Sequence, residues 1–273
     1  MPFPPRPIAF VLAACNHGSM IVNRNDYQMS DAVNGHGVAF QIFNKSAYDV
    51  DEVNLALSML NCRRRHFGDG VVAIDGGAKI GVHTVEWARH MHGWGRVIAF
   101  EAQEVVYYAL AGNIALNNCL NARARLAALG ERCGELTVPA LDYFKPASFG
   151  SLELRPRPGS QSIGQPVSYA ADAGATVPMV NLDSLALDRV DFVKLDVEGM
   201  ELEVLQGAQA MLARHRPILL VELIKADPAA VETLVTGLGY RMFPMGINAL
   251  GVHATDPTLQ QLRQTGEKLT LSA

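Results

Sequence analysis

Two short stretches of this chain combine acidic residues with glycines in patterns that could do chemistry. The first is AIDGGAKIGVHT, residues 73–84, which reads as a buried strand, a glycine-rich turn and the start of a helix. Backbone N–H groups at the start of a helix bind anionic groups of ligands. Asp75 opens this turn and Lys79 lies inside it. The pattern predicts a ligand that offers an anionic group to the amides and a cationic group to Asp75.

The spacing of the glycines separates the classes of nucleotide that could bind. In the dinucleotide fingerprint G-x-G-x-x-G, the middle glycine lets the pyrophosphate approach the backbone. Here the three positions are Gly76, Ala78 and Gly81. The methyl group of Ala78 and the charge of Asp75 disfavour an oxidoreductase that uses NAD or FAD. S-adenosylmethionine fits better, because its ammonium group can pair with Asp75 and its carboxylate with the turn. The alternative is that Gly76, Gly77 and Gly81 only make a tight turn.

Glu101 supports a nucleoside ligand. It ends the second predicted strand, RVIAF (96–100), and an acid at this position commonly accepts hydrogen bonds from ribose hydroxyls.

The second stretch is KLDVEGMELEVLQGA, residues 194–208. Asp196 and Glu198 end a buried run and lie two positions apart, so in an extended chain they face the same way. Buried carboxylates are costly unless they are paired or used in function. Here they could accept the proton of an attacking hydroxyl or orient the acceptor. For Glu198 the alternative is stabilisation of the helix that begins after Gly199.

Glu222 ends a later apolar run and is a third catalytic candidate. The three carboxylates could in principle bind a divalent cation, but such a site needs several convergent oxygen ligands, and no metal is predicted. His253 is expected to be an ordinary, partly buried histidine rather than a catalytic one.

Five short apolar runs must position these residues, and helical patterns separate most of them. The runs are VVAID (71–75), RVIAF (96–100), RARLAAL (123–129), FVKLDV (192–197) and PILLVEL (217–223). Their alternation with helices predicts an α/β fold, a Rossmann-like doubly wound and mostly parallel sheet. YRMFPM (240–245) and ALGVHAT (249–255) predict a closing antiparallel hairpin.

Two further segments flank this pattern. Residues 1–68 are predicted to form an N-terminal cap, with a hairpin around Ser19 to Phe43 and a helix from Asp51 to Arg65. Residues 69–273 form the main domain. Its stretch 130–182 is rich in Pro, Gly and Ser, and so long a connection is usually functional or disordered. We interpret it as an insert that covers the acceptor site, with a mobile surface loop as the alternative.

These stretches resemble the FkbM-type family of class I S-adenosylmethionine-dependent methyltransferases. The matching segments are VVAIDGGAKIGVHT (71–84), VIAFEAQ (97–103), GNIALNN (112–118), LDSLALDRVDFVKLDVEGMELEVLQGAQAML (182–212) and RPILLVEL (216–223). The resemblance implies a seven-stranded sheet whose last strand is antiparallel, and methyl transfer, usually to oxygen of a sugar or other small molecule. It implies that the cofactor contacts Asp75, Gly76, Gly77, Ala78, Lys79, Gly81, Glu101, Ala102 and Gln103, and that Asp196 faces the transferred methyl group.

The chain departs from the family pattern at Lys79, where asparagine is usual. A cation at a helix N-terminus is unfavourable unless it is paired, and Asp75, Glu101 or the cofactor carboxylate could supply the partner. One hypothesis is that Lys79 competes with the cofactor for Asp75. The other is that it clamps the cofactor carboxylate. The functional alternative is therefore a catalytically impaired relative that binds S-adenosylmethionine without turnover.

Composition limits the partners. With 49% hydrophobic and 18% charged residues, the chain can bury a large core and is not disordered. The net charge of -4 gives no basic surface for nucleic acid, and Arg63 to Arg65 are expected to be the solvated end of a helix. The apolar run from Ile8 to Cys15 ends in LAAC, like a lipoprotein cleavage site, but we expect a buried strand or helix and no membrane contact.

Cysteine usage points to a cytoplasmic location. The four cysteines show no CxxC spacing, which predicts reduced thiols. Apolar Met, Tyr and Phe side chains near the N-terminus fit either a homodimer face or ordinary core packing.

Overall fold

The computed structural model describes residues 6–265 and 268–271. The N-terminal segment comprises β1 (Phe10–Cys15), β2 (Gly18–Asn23), β3 (Gln28–Met29), β4 (Gly35–His36), α1 (Val38–Lys45) and α2 (Val50–Phe67). β1 pairs with β2 and β3 with β4, both antiparallel. The hairpin predicted around Ser19 to Phe43 exists only as the short β3–β4 pair, because residues 38–43 belong to the helix α1. Val38, Ala39 and Ile42 make one buried helical face there. The run from Ile8 to Cys15 does contain a strand, although Leu12 is 64% exposed.

The next elements build the first half of the central sheet and a side layer. They are β5 (Val71–Gly76), α3 (Val82–His90), β6 (Gly95–Glu101), α4 (Glu104–Leu116), β7 (Ala122–Leu126), β8 (Ala128–Leu129), β9 (Gly134–Pro139) and β10 (Gly174–Val180). The second half follows with β11 (Phe192–Leu195), α5 (Glu201–Gln206), α6 (Gln209–His215), β12 (Ile218–Glu222), α7 (Pro228–Gly237), β13 (Tyr240–Met245), β14 (Asn248–His253), β15 (Leu262–Thr265) and β16 (Lys268–Leu271).

The central sheet has seven strands in the order β13-β14-β12-β11-β5-β6-β7. β14 runs antiparallel to both of its neighbours, while the pairs from β12 to β7 are all parallel. This confirms the predicted fold class, including the antiparallel C-terminal hairpin. Because β14 lies between β12 and β13, β13 forms one edge of the sheet.

Both faces of the sheet are covered, which explains why its strands read as continuous apolar runs. In β5, Val71 and Ala73 pack into the hydrophobic layer that includes α2, α3 and α4. Val72 and Ile74 pack into the opposite layer, which includes α5, α6 and α7. The helix predicted from Asp51 to Arg65 is confirmed within α2, so the N-terminal segment shares its core with the sheet.

Arg63, at the end of α2, is not solvated as predicted. It is 5% exposed, and its guanidinium lies 3.3 Å from Asp191 and 2.5 Å from Asp256. Asp191 also accepts a hydrogen bond from the backbone N–H of Val72 at 2.9 Å. These contacts tie α2 to the edge of the sheet where the parallel strands begin.

The predicted insert, residues 130–182, is folded. β9 and β10 pair antiparallel, and β10 pairs parallel with β8, which gives a three-stranded sheet. A short 3-10 helix, Phe149–Ser151, lies in the connection between them. The mobile-loop alternative is therefore wrong for these elements. In the described part of the chain, no helix is both long enough and apolar enough to cross a lipid bilayer.

Candidate active site

The acidic candidates converge at the edge where the parallel strands end. β5 leads into the glycine turn, β6 ends at Glu101, Asp196 follows β11, and β12 ends at Glu222. Parallel strands bring their carboxyl ends to one edge of a sheet, and open α/β sheets bind ligands there. The sequence therefore placed these residues together correctly.

Gly77 fixes the position of the first turn. Its φ is 76°, and a Cβ atom there would overlap the carbonyl oxygen of Asp196, so only glycine fits. The N–H groups of Gly77 and Ala78 donate to the carbonyl of Phe100 at 3.1 and 2.9 Å. The turn is thus held between the ends of β6 and β11.

Asp75 lies behind this turn. It is fully buried, the hydroxyl of Thr84 donates to its Oδ2 at 2.5 Å, and its Oδ1 has no hydrogen-bond partner among the described residues. Gly81 has φ 88° and faces Leu110, which lets α3 pack closely on α4. Asp75, Gly76 and Gly81 are not part of the pocket wall. These three residues support the turn, and their direct contact with a ligand stays a prediction.

A pocket opens beside the turn. The space between its walls is about 460 Å³, part of which is open solvent. Its wall contains five of the predicted cofactor residues, namely Gly77, Lys79, Glu101, Ala102 and Gln103, together with the catalytic candidates Asp196 and Glu198. Sequence reasoning missed the apolar part of the wall, which comes from Phe100, Ala127, Ala128, Leu129, Leu152 and Leu154. Leu152 and Leu154 lie in the insert, so part of the insert covers the pocket.

Glu101 is held rigidly at the pocket rim. Its two oxygens accept hydrogen bonds from the backbone N–H groups of Lys79 (2.9 Å) and Gln103 (2.8 Å). Burial raises its pKa to about 7, although these hydrogen bonds oppose the rise. The side chain of Gln103 donates to the carbonyl of Phe149 at 2.8 Å, which attaches the insert to the same rim.

The carboxylates of Asp196, Glu198 and Glu222 form a cluster, with oxygens within 4.8 Å of one another. Lysines of the described residues surround two of them. Lys194 and Lys79 each place Nζ 3.0 Å from Oδ2 of Asp196. Lys79 is also 3.6 Å from Glu198, and Lys225 is 2.6 Å from it. The charges thus alternate from Lys194 through Asp196, Lys79 and Glu198 to Lys225.

This arrangement gives the carboxyl groups of Asp196 and Glu222 very different pKa values. Burial alone would raise the pKa of Asp196, but Lys194 and Lys79 hold it below its usual value. Glu222 has no lysine, arginine or histidine within 4 Å among the described residues, and its Oε2 is buried without a hydrogen-bond partner. Burial and the charges of Asp196 and Glu198 raise the pKa of Glu222 to about 9. At neutral pH, Asp196 is ionised and Glu222 holds a proton.

Glu198 does not cap the following helix. The N-cap residue of α5 is Met200, without a side-chain capping hydrogen bond. The carboxylate of Glu201 instead orders the turn before the helix, where it accepts hydrogen bonds from the N–H groups of Val197 (2.9 Å) and Gly199 (3.0 Å). Glu198 has a left-handed backbone, φ 56°, which turns its side chain toward the lysines. The side chain of Glu198 is engaged by Lys225 and Lys79, and its effect on the helix dipole stays a prediction.

Lys79 does not pair with Asp75 or through its side chain with Glu101. Its ammonium group lies between Asp196 and Glu198, and it donates to the hydroxyl of Tyr48 at 3.4 Å. The hypothesis that Lys79 competes for Asp75 is corrected accordingly. Its backbone is left-handed, φ 53°, a conformation that costs energy in any residue with a Cβ.

The N-terminal segment also reaches the site. Glu52 lies 3.1 Å from Nε2 of His83 and 3.9 Å from Lys194, and Tyr48 contacts Lys79. A second cavity of about 220 Å³ lies here and shares Gly77, Lys79 and Asp196 with the larger pocket. Neither Tyr48 nor Glu52 has a local sequence signal. His253 is remote, since β14 runs in the opposite direction and ends at the other edge, where His253 contacts Tyr240 and Thr255.

Comparison with known proteins assigns the family. The sequence profile described as the methyltransferase FkbM domain matches residues 75–242, from the first turn to β13. The chain belongs to this family. The match includes Asp75, Lys79, Glu101 and the whole carboxylate cluster, so the site described above lies within the family's domain.

Individual relatives are more distant. The methyltransferase sdnD of Sordaria araneosa is 32% identical in an alignment of 157 positions that covers 49% of this chain and 59% of that protein. The crystal structure of methyltransferase FkbM from Methylobacillus flagellatus KT has a TM-score of 0.44 and 16% identity, and covers 68% of this chain and 43% of that one. A Pyrococcus abyssi tRNA (uracil-54, C5)-methyltransferase in complex with S-adenosyl-L-homocysteine has a TM-score of 0.42 and 13% identity, covering 90% and 44%. The family assignment rests on the sequence match.

Proposed function

We propose that this protein transfers a methyl group from S-adenosylmethionine to a hydroxyl of a small molecule or sugar. Membership of the FkbM methyltransferase family supports the reaction class. The observation that carries the proposal is the meeting of an acid-rimmed pocket with a cluster of three carboxylates at one edge of the sheet.

The pocket fits the proposed cofactor. Glu101 uses one lone pair of each oxygen on the backbone, which leaves the others for ribose hydroxyls. Phe100, Ala128 and Leu129 offer apolar surface for a flat base. Oδ1 of Asp196 is a buried acceptor without a hydrogen-bond partner among the described residues, as expected for a group that meets a ligand.

The carboxylates divide the remaining work. When bound, the cofactor supplies an electrophilic methyl group. The ionised Asp196 accepts a hydrogen bond from the acceptor hydroxyl through Oδ1 and so orients it, because Oδ2 is engaged by two lysines. Glu222, which has no lysine partner within 4 Å among the described residues, takes the proton once it is ionised. Because its pKa is about 9, we expect methyl transfer to become faster as the pH rises toward that value. Glu198, held by Lys225, fixes the cluster's geometry.

A second candidate function is binding without turnover, and one observation favours it. The ammonium group of Lys79 already pairs with Asp196 and Glu198 at the pocket wall. A chain that binds the cofactor but leaves its methyl group untransferred would serve as a binding protein.

Two measurements test these functions. Calorimetric titration with S-adenosylmethionine and with S-adenosylhomocysteine asks whether the pocket takes an adenosyl ligand, and micromolar binding of either is expected. Transfer of a labelled methyl group into pools of sugars and hydroxylated small molecules then separates the candidates. Labelled product supports the transferase. Binding without product in every pool, including amine and thiol acceptors, supports the binding protein.

A further inference from the structure

Lys79 brings a fixed positive charge into the pocket wall. Its side chain is 15% exposed and runs beside Gly150, where a Cβ atom would come within 2.9 Å of Cδ of the lysine. The ammonium group lies 3.0 Å from Asp196 and 3.6 Å from Glu198. Lys79 is also shared by the large and the small cavity. Any ligand that reaches Asp196 from the pocket therefore meets this ammonium group.

The acids that Lys79 contacts are already neutralised from other directions. Lys194, on β11, pairs with Asp196, and Lys225, after β12, pairs with Glu198. The third carboxyl group, Glu222, has no cationic partner within 4 Å among the described residues and stays neutral in the presence of two neighbouring carboxylates. Three lysines thus face Asp196 and Glu198, with Glu52 and Glu153 as more distant carboxyl groups 3.9 Å from Lys194 and Lys225. Lys79 therefore adds a cation where Asp196 and Glu198 already have other lysine partners, and so lowers the attraction of these acids for a further cation.

The two forms of the proposed ligand differ at one atom. S-adenosylmethionine has a positively charged sulfonium, and S-adenosylhomocysteine has a neutral thioether. Their amino-acid and adenosine parts are the same, so contacts of Lys79 with those parts affect both equally. A cation in a partly buried wall repels the sulfonium and leaves the thioether unaffected.

We propose that Lys79 makes this pocket select the uncharged form, S-adenosylhomocysteine, over S-adenosylmethionine. The inference rests on the proposed function, in which the pocket takes an adenosyl ligand. If the protein is a methyltransferase, it binds its product S-adenosylhomocysteine tightly. If it is a binding protein, its preferred ligand is S-adenosylhomocysteine.

Calorimetric titration of three proteins with both ligands tests the inference. Lys79→Met removes the charge and keeps an unbranched side chain with the same left-handed backbone, while Lys79→Arg keeps the charge. We expect Lys79→Met to bind S-adenosylmethionine at least about tenfold more tightly than the wild type, with S-adenosylhomocysteine changing less than about threefold. Lys79→Arg should retain the wild-type ratio. Thermal unfolding of all three proteins verifies that they are folded.

The outcomes are distinct. An unchanged affinity ratio in Lys79→Met, or weaker binding of S-adenosylmethionine by it, overturns the inference while the proposed function stands. Weaker binding of both ligands by Lys79→Met would mean that Lys79 clamps the shared carboxylate, which also overturns it. Failure of all three folded proteins to bind either ligand overturns the proposed function and the inference with it.

Discussion

Nζ of Lys225 lies 2.6 Å from Oε2 of Glu198, and the same nitrogen donates to the carbonyl of Ser151 at 2.7 Å. One lysine therefore joins the carboxylate cluster to the insert that covers the pocket. The insert is fastened at two further points of Phe149, whose N–H donates to Asp26 at 3.0 Å and whose carbonyl accepts from Gln103. The covering segment is thus attached directly to the residues proposed to act on the ligand.

Removal of this lysine should loosen the insert. In Lys225→Met, the more distant Lys79 is the cation that Glu198 keeps within the described part of the chain, and the carbonyl of Ser151 loses a donor. We therefore expect a loss of about 2 kcal/mol in the free energy of unfolding. Urea denaturation measures it, and cleavage between β9 and β10 in limited proteolysis should accelerate. Lys145→Met is the matched control, because Lys145 pairs with Asp142 in the same insert but is 72% exposed. It should behave as the wild type, and equal effects of the two changes would contradict our account.

Gly77 should not tolerate even one methyl group. Alanine there has an unfavourable positive φ and its Cβ overlaps the carbonyl of Asp196, so Gly77→Ala must displace the turn or β11. Gly159 has a similar φ of 82°, and a Cβ atom added there would meet no other atom within 4 Å, so Gly159→Ala measures the backbone cost alone. We expect about 1 kcal/mol for Gly159→Ala and at least about 3 kcal/mol for Gly77→Ala by chemical denaturation. Similar losses of stability in Gly77→Ala and Gly159→Ala would mean that the overlap with the carbonyl of Asp196 has no measurable energetic cost.

The strands and the acids at their ends could be predicted because both signals are local. Continuous apolar runs mark buried parallel strands, and a parallel sheet necessarily collects the residues after those strands at one edge. Asp196, Glu198 and Glu222 were found in this way. The run VAFQIF, residues 38–43, is equally apolar but too short to separate strand from helix by pattern alone, and its helix was missed.

Contacts between distant segments could not be predicted. Tyr48 and Glu52 reach the site because α2 packs on the sheet. Lys225 reaches Glu198 because the loops after the paired strands β12 and β11 lie side by side. The burial of a single side chain could not be predicted either. The sequence indicates that Asp75 lies near the end of a strand, but not that Thr84 and the turn cover it. These properties depend on tertiary packing and produce no periodic pattern in the sequence.

Arg63 offers a test of such a hidden contact. Arg63→Met leaves Asp256 buried without its guanidinium partner, while Asp191 keeps Arg189 at 2.8 Å. An unpaired buried charge is strongly destabilising, so we expect a loss of about 3 kcal/mol. Its neighbour Arg64 pairs with Asp69 at an exposed site, with side chains 44% and 62% exposed. Arg64→Met should leave the unfolding midpoint in urea almost unchanged. If Arg64→Met destabilised the protein more than Arg63→Met, our identification of Arg63 as the buried, paired arginine would be wrong.

Glu222 should give the protein a pH-dependent stability. Its pKa is about 9 in the folded state against an ordinary value of 4.5, so between these values the folded chain holds a proton that the unfolded chain has released. Stability from this group is complete below about pH 4.5 and is lost as pH rises toward 9. Glu222→Gln mimics the protonated form at every pH. Relative to this variant, the wild type should lose at least about 1 kcal/mol between pH 6 and pH 9 in urea denaturation. The two proteins share every other titrating group. If the difference between their free energies of unfolding stays constant from pH 6 to pH 9, Glu222 is already ionised in the folded protein at neutral pH. It could then accept a proton without a rise in pH.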